Sequence, residues 1–129
     1  ILEECREIRR TQYPDGLPTG QAVITTGGRL RARYVIHTVG PIYGRDPSLQ
    51  SALLAACYTN SIKLAAEHSL RSIAFPSIST GVYSYPREQA AEIASAAVRN
   101  SIEETGIGEV RLVFHSESDM RVFLDNQRF

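Results

Sequence analysis

The stretch from Ser72 to His115 alternates a short apolar strand, a long helix and a second apolar strand, and this constrains the fold more than any other feature. Ser72-Ile73-Ala74-Phe75 is nearly all apolar and is stopped by Pro76, a pattern that suits the buried centre of a parallel sheet. Val110 to His115 is the second strand. Between them, Pro86 to Thr105 reads as a helix. Pro86 suits a first helical position, Glu88 lies in the first turn where the helix dipole favours it, and Gly106 and Gly108 end the element. Strand, helix, strand in this order is a βαβ crossover, which calls for a mostly parallel sheet covered by helices.

The remaining segments extend that pattern. Ile1, Leu2, Cys5 and Ile8 fall at helical spacing from the first residue with no capping residue ahead of them, so the sequence reads as one whose opening helix has been cut into. Pro14, Asp15-Gly16, Pro18 and Gly20 make residues 11–20 a loop. Gln21 to Thr26 and Tyr34 to Val39 read as strands, separated by Gly27-Gly28 and closed by Gly40-Pro41. A loop from Ile42 to Pro47 leads to a long helix of about Ser48 to Glu67, with Leu49, Leu53, Ala56, Cys57 and Leu64 as its apolar face. Ser116 and Asp119 match a capping box that opens a last helix around Met120 to Leu124. The expected order is helix, two strands, helix, strand, helix, strand, helix, in a single domain over residues 1–129.

Charge narrows the partners. The 129 residues hold 14 basic and 14 acidic side chains, a formal net charge of zero. A protein that binds nucleic acid by neutralising phosphates is expected to be basic, so that class is disfavoured. No apolar stretch approaches the ~20 residues needed to span a bilayer, and ILEECREIRR is too charged for a signal peptide. Cys5 and Cys57 cannot build a disulfide framework and read as small buried thiols, which points to the cytoplasm.

In open α/β sheets, ligands sit beyond the carboxyl ends of the strands, which directs attention to residues 40–47, 76–85 and 115–118. The middle loop, Pro76-Ser-Ile-Ser-Thr-Gly-Val-Tyr-Ser-Tyr-Pro86, is rich in small residues and runs into a helix N-terminus. Unpaired N–H groups and the positive dipole end make such a place suited to an anion. Gly81 allows close approach of a phosphate, and the Ser79 and Thr80 hydroxyls can donate to oxygens. The same composition also fits an ordinary strand–helix connection. The loop has no Lys and no P-loop or dinucleotide pattern. His37, His68 and His115 lack partners at metal spacing, so no metal site is expected. No GxSxG elbow occurs, and no paired carboxylates suggest acid–base work. His115 either stacks on a base or simply ends its strand.

Three stretches together resemble the macrodomain family, in particular its MacroD-like class. They are Pro18-Thr-Gly-Gln-Ala-Val-Ile-Thr25, Tyr34-Val-Ile-His-Thr-Val-Gly-Pro41 and Ala74-Phe-Pro-Ser-Ile-Ser-Thr-Gly-Val-Tyr-Ser-Tyr-Pro86. The resemblance implies a three-layer α/β/α sandwich with a mixed, mostly parallel central sheet and an ADP-ribose cleft at the strand C-terminal ends. It also implies that Ser79, Thr80, Gly81, Val82 and Tyr83 wrap the diphosphate through backbone amides, with Tyr83 against the distal ribose. The residue packing on adenine would be His115, or Phe114 if the register is off by one. Ser84 stands where many relatives have Gly, a change expected to stiffen the loop tip or narrow the distal pocket.

The family's N-terminal part has no counterpart here: two strands, an acidic residue that reads adenine, an Asn motif and a glycine-rich loop bearing the catalytic Asp. ILEECREIRR parallels the helix that follows that loop. No catalytic residue is therefore assigned in this chain, and the sheet is expected to expose an edge or face. The resemblance implies a bacterial, cytoplasmic, monomeric hydrolase of ADP-ribose conjugates, acting on mono-ADP-ribosylated protein side chains or O-acetyl-ADP-ribose without a cofactor. Water would attack at the distal ribose of the substrate. The alternative is a non-catalytic ADP-ribose reader. Its partners would be ADP-ribosylated proteins, with neither membrane nor nucleic acid involved.

Overall fold

A computed structural model describes residues 1–44 and 46–129. The expected loop from Ile42 to Pro47 includes Arg45, which lies outside the described residues. The elements follow the anticipated order: α1 (Leu2–Thr11), β1 (Ala22–Thr26), β2 (Tyr34–Thr38), α2 (Pro47–Glu67), β3 (Ser72–Pro76), α3 (Arg87–Thr105), β4 (Glu109–Val113) and α4 (Glu117–Asn126).

Local chemistry sets the boundaries. Asp46 caps α2 by accepting from the Leu49 amide, and Pro47 fills the first helical position. This Asp-Pro signal places the start one residue earlier than Ser48. Pro86 is the N-cap of α3 rather than its first residue, and Gly106 ends the helix in the left-handed conformation, φ +72°. The N-cap half of the expected box is present at Ser116, whose hydroxyl oxygen accepts from the Asp119 amide at 3.1 Å, while the Asp119 carboxylate accepts from Arg87.

The face of α2 matches expectation in part: Cys57 is fully buried and Leu53, Ala56 and Leu64 are half-buried. Leu54, Cys57, Tyr58, Ser61, Ile62 and Ala65 are its buried residues, whereas Leu49 is 55% exposed. Apolar residues run around much of this helix, so two overlapping stripes fit the helical period, and tertiary packing selects between them.

β1 and β2 pair antiparallel, with Ile24 opposite Ile36 and Val23 opposite His37. Successive side chains point to opposite faces. Ile36 joins the core beside α2. On the other face the His37 ring lies 3.9 Å from Cys5 of α1 and 3.0 Å from the Thr25 hydroxyl. α1 and α2 therefore cover opposite faces of this pair, giving the three layers α/β/α. β3 and β4 pair parallel, with Ile73 opposite Val110 and Phe75 opposite Leu112. These four side chains face the core formed with α2, α3 and α4.

The strands are mixed in direction, but they hydrogen-bond as two separate pairs, β1–β2 and β3–β4. Among the described residues, the nearly all-apolar β3 thus has a strand partner on one side only. On its coreless face Ala74 is exposed and neighbouring Val113 is 57% exposed. A free edge lies on each side of the space between the two pairs.

Candidate functional site

The loops after β2, β3 and β4 hold the candidate site. The loop between β3 and α3 is fixed at its base by hydrogen bonds from the Tyr85 amide to the Ser79 carbonyl (2.8 Å) and from the Ser84 amide to the Gly81 carbonyl (3.0 Å). Ser79 and Ser84 take left-handed backbone conformations, φ +65° and +60°. Such a backbone costs a non-glycine residue roughly 1–2 kcal/mol. Ser79 and Ser84 both carry this strain.

The loop's own donors are left unused. Among the described residues, the amides of Ser79, Thr80, Gly81, Val82 and Tyr83 donate to no protein acceptor. α3 starts immediately beyond them at Arg87 with no side-chain cap, because Pro86 has no side-chain acceptor. Free N–H groups and the helix's positive end thus share one place, the arrangement that receives anions.

The neighbouring loop braces this one. The Tyr43 amide donates to the Tyr83 carbonyl at 3.0 Å, and the Tyr43 and Tyr85 rings meet edge-on with centroids 5.0 Å apart. Burial, followed by the proximity of Tyr43, pushes the Tyr85 phenol above its ordinary range. Tyr58 lies beneath the loop, and burial raises its phenol strongly while a hydrogen bond with the Ile78 backbone opposes the shift. Both phenols are neutral at physiological pH and act as packing.

The six anticipated site residues do not share one environment. Thr80, Gly81 and His115 line one opening of about 550 Å³, together with Ser77, Arg87 and Asp119. Ser79 turns inward, 9% exposed, with its hydroxyl oxygen unpaired. Val82 is 95% exposed, and Tyr83 is half-buried against the Tyr43 loop. His115 is exposed, whereas Phe114 packs on Phe123 with ring centroids 5.1 Å apart. His115 is the more exposed of the two, but both line the opening.

Sequence reasoning named Asp119 only as part of the Ser116 cap and did not name Arg87; their ion pair of 2.7 Å ties the head of α3 to α4 beside the opening. The Arg87 hydrogen bond holds the Asp119 carboxyl below its usual range. Both sit in helix first turns: the cap already explained Asp119, whereas Arg87 is a cation at the positive end of α3 that only its long-range partner explains, so no local signal marked them as a pair. Tyr43 and Gly40 were also passed over, since their contacts are long-range. Among the described residues, no group of three or more His, Cys, Asp or Glu side chains is placed to hold a metal ion, and no helix is long and apolar enough to cross a membrane.

A three-layer α/β/α fold here carries, at the carboxyl end of its strands, a loop of unused amides at the head of α3, an arrangement suited to phosphate-containing ligands. The chain belongs to the Macro domain family, which matches residues 1–94. It is 52% identical over 95% of its length to a macro domain-containing protein of Cupriavidus necator, and 54% identical over 88% to one of Streptomyces griseus. It spans 70% and 63% of those two relatives' lengths. Among solved structures it is similar to the Oceanobacillus iheyensis macrodomain with ADP, at 44% identity and a TM-score of 0.92, covering 97% of this chain and 66% of that one. The Trypanosoma brucei macrodomain in complex with ADP-ribose matches at 34% identity and a TM-score of 0.74, covering 92% and 54%.

Proposed function

We propose that this chain binds ADP-ribose, with Ser79, Thr80, Gly81, Val82 and Tyr83 holding the diphosphate and His115 stacking on the adenine. The observation that carries the reading is the run of unused amides from Ser79 to Tyr83 at the head of uncapped α3. Backbone donors bind a diphosphate without basic side chains, which is consistent with a net charge of zero. The ligands named for the similar O. iheyensis and T. brucei structures, ADP and ADP-ribose, support the same assignment.

The reading extends to turnover in the full-length protein. Water attacks at the distal ribose of a mono-ADP-ribosylated side chain or of O-acetyl-ADP-ribose, while the loop fixes the diphosphate. This chain supplies placement, and no catalytic residue is assigned within it. The protein acts as a cytoplasmic monomer, as one domain over residues 1–129, on ADP-ribosylated partners. A non-catalytic reader is the second reading. It uses the same loop amides and needs no catalytic residue, and the acidic residue lining the opening, Asp119, is paired with Arg87.

Gly81→Glu tests the ligand assignment. A Cβ at Gly81 meets nothing within 4 Å, so the variant is expected to fold, which thermal denaturation checks. It sets a carboxylate against the diphosphate, and the expected loss is at least about a hundredfold in affinity, near 3 kcal/mol. Calorimetry with ADP-ribose showing unchanged affinity overturns the loop assignment. Turnover is tested separately, by incubating the full-length protein with a mono-ADP-ribosylated protein and following release of ADP-ribose. Release supports the hydrolase; tight binding without release leaves the reader.

A further inference from the structure

We propose that the Arg87–Asp119 pair reads the ribose that joins adenine to the diphosphate, and so selects ADP-ribose with a free hydroxyl at the 2′ position over the form phosphorylated there. The proposal rests on the ADP-ribose reading above and narrows the substrate class within it. Placement comes from the fold. Arg87 is the first residue of α3, directly beyond the loop of unused amides, and Asp119 lies in the first turn of α4, just after His115. Their ion pair, 2.7 Å from Arg87 Nη1 to Asp119 Oδ1, bridges the element that follows the loop and the element that follows His115. Thr80, Gly81, Arg87, His115 and Asp119 all line one opening of about 550 Å³. A ligand with its diphosphate on the loop and its adenine on His115 carries the connecting ribose past the pair.

The chemistry of the pair suits hydroxyls and opposes a further phosphate. Arg87 donates to one carboxylate oxygen of Asp119, and an ionised carboxylate has a second oxygen that only accepts. The Arg87 hydrogen bond, foremost, holds the Asp119 carboxyl below its ordinary range, and the closeness of His115 acts in the same direction. The Asp119 side chain is 33% exposed and that of Arg87 47%, so a ligand in the opening reaches both. In dinucleotide sites an acidic side chain beside the adenosine ribose takes the free hydroxyl, whereas an Arg there receives a phosphate on it. Both residue types are present here, and Asp119 decides between them. It neutralises Arg87, and it stands as a like charge against a phosphate on the ribose. Arg87 in turn orients the carboxylate, and that pairing offsets the cost of a cation at the positive end of α3.

The test compares, by calorimetry on the full-length protein, the affinities for ADP-ribose and for ADP-ribose phosphorylated at the 2′ position of its adenosine ribose. The native protein is expected to bind ADP-ribose at least about tenfold more tightly. Asp119→Asn removes the like charge and frees the Arg87 guanidinium, and should narrow that preference at least about threefold or reverse it. Arg87→Ala leaves the carboxylate uncompensated and should keep or widen the preference. Asp119→Glu retains the charge and should retain the preference, and thermal denaturation shows that each variant is folded. A pair that only tied α3 to α4 would weaken both ligands alike in every variant and leave their ratio unchanged. The assignment is overturned by an absence of preference in the native protein, or by a ratio in Asp119→Asn equal to the native one. Tight ADP-ribose binding without discrimination overturns this assignment alone; failure of the native protein to bind either ligand overturns the ADP-ribose reading and this assignment with it.

Discussion

Gly40 measures how closely the candidate site's two loops approach. A Cβ at this position would lie 2.3 Å from the Ser79 hydroxyl oxygen and 2.6 Å from an Ile78 methyl group. Ser79 is buried and in a left-handed conformation, so it has little freedom to retreat. Gly40→Ala is accordingly expected to destabilise the chain by about 1–3 kcal/mol through overpacking, and to weaken ADP-ribose binding by displacing the amides of residues 79–83. Thermal denaturation and calorimetry on the same sample separate the two effects. An unchanged midpoint with unchanged affinity would mean that the loops do not support one another. Gly81 is the opposite case: open space surrounds its Cβ position, so a substitution there acts on the ligand and leaves the fold alone.

Among the elements, α1 is the most lightly held, with no fully buried residue and Leu2 62% exposed. Its anchor to the sheet is polar: Glu4 accepts hydrogen bonds from the Thr26 hydroxyl and from the Thr26 amide. Those bonds, the hydroxyl foremost, hold the Glu4 carboxyl below its ordinary range. A depressed folded-state pKa contributes stability that is present above the unfolded value of about 4.3 and is lost as pH falls through the folded value. Acidification below about pH 4 is therefore expected to release α1 from β1. Hydrogen exchange in α1 should accelerate over that range in the native chain. A Glu4→Gln chain should show faster exchange at neutral pH and little further change on acidification. Equal pH dependence in both would remove Glu4 as the anchor. The α3–α4 pair Arg87–Asp119 follows the same sign, since Asp119 is also held low.

For the whole molecule, α2 is the element that touches both strand pairs and α3 as well. The order of elements and the parallel pairing of β3 with β4 were legible because each depends on local signals: Pro76, Pro86, Gly106 and the Ser116 cap. The strand–loop–helix arrangement of residues 76–86 was legible for the same reason, since a strand stop and a helix start are properties of consecutive residues. What local signals do not carry is long-range. The true core face of α2, the Tyr43–Tyr85 contact, the Gly40–Ser79 approach and the Arg87–Asp119 pair all join residues whose proximity only packing decides. Ile62 belongs to that group: it is fully buried on α2, yet it lies off the Leu49–Leu64 stripe that the periodicity favoured. Ile62→Ala should cost about 2–5 kcal/mol from lost burial and the cavity left behind. If α2 is the shared support, the loss is global, and amide exchange should quicken together at Ile24 and Ile36 in one pair and at Phe75 and Leu112 in the other. Acceleration confined to one pair would show instead that the two halves unfold as independent units, each with its own stability.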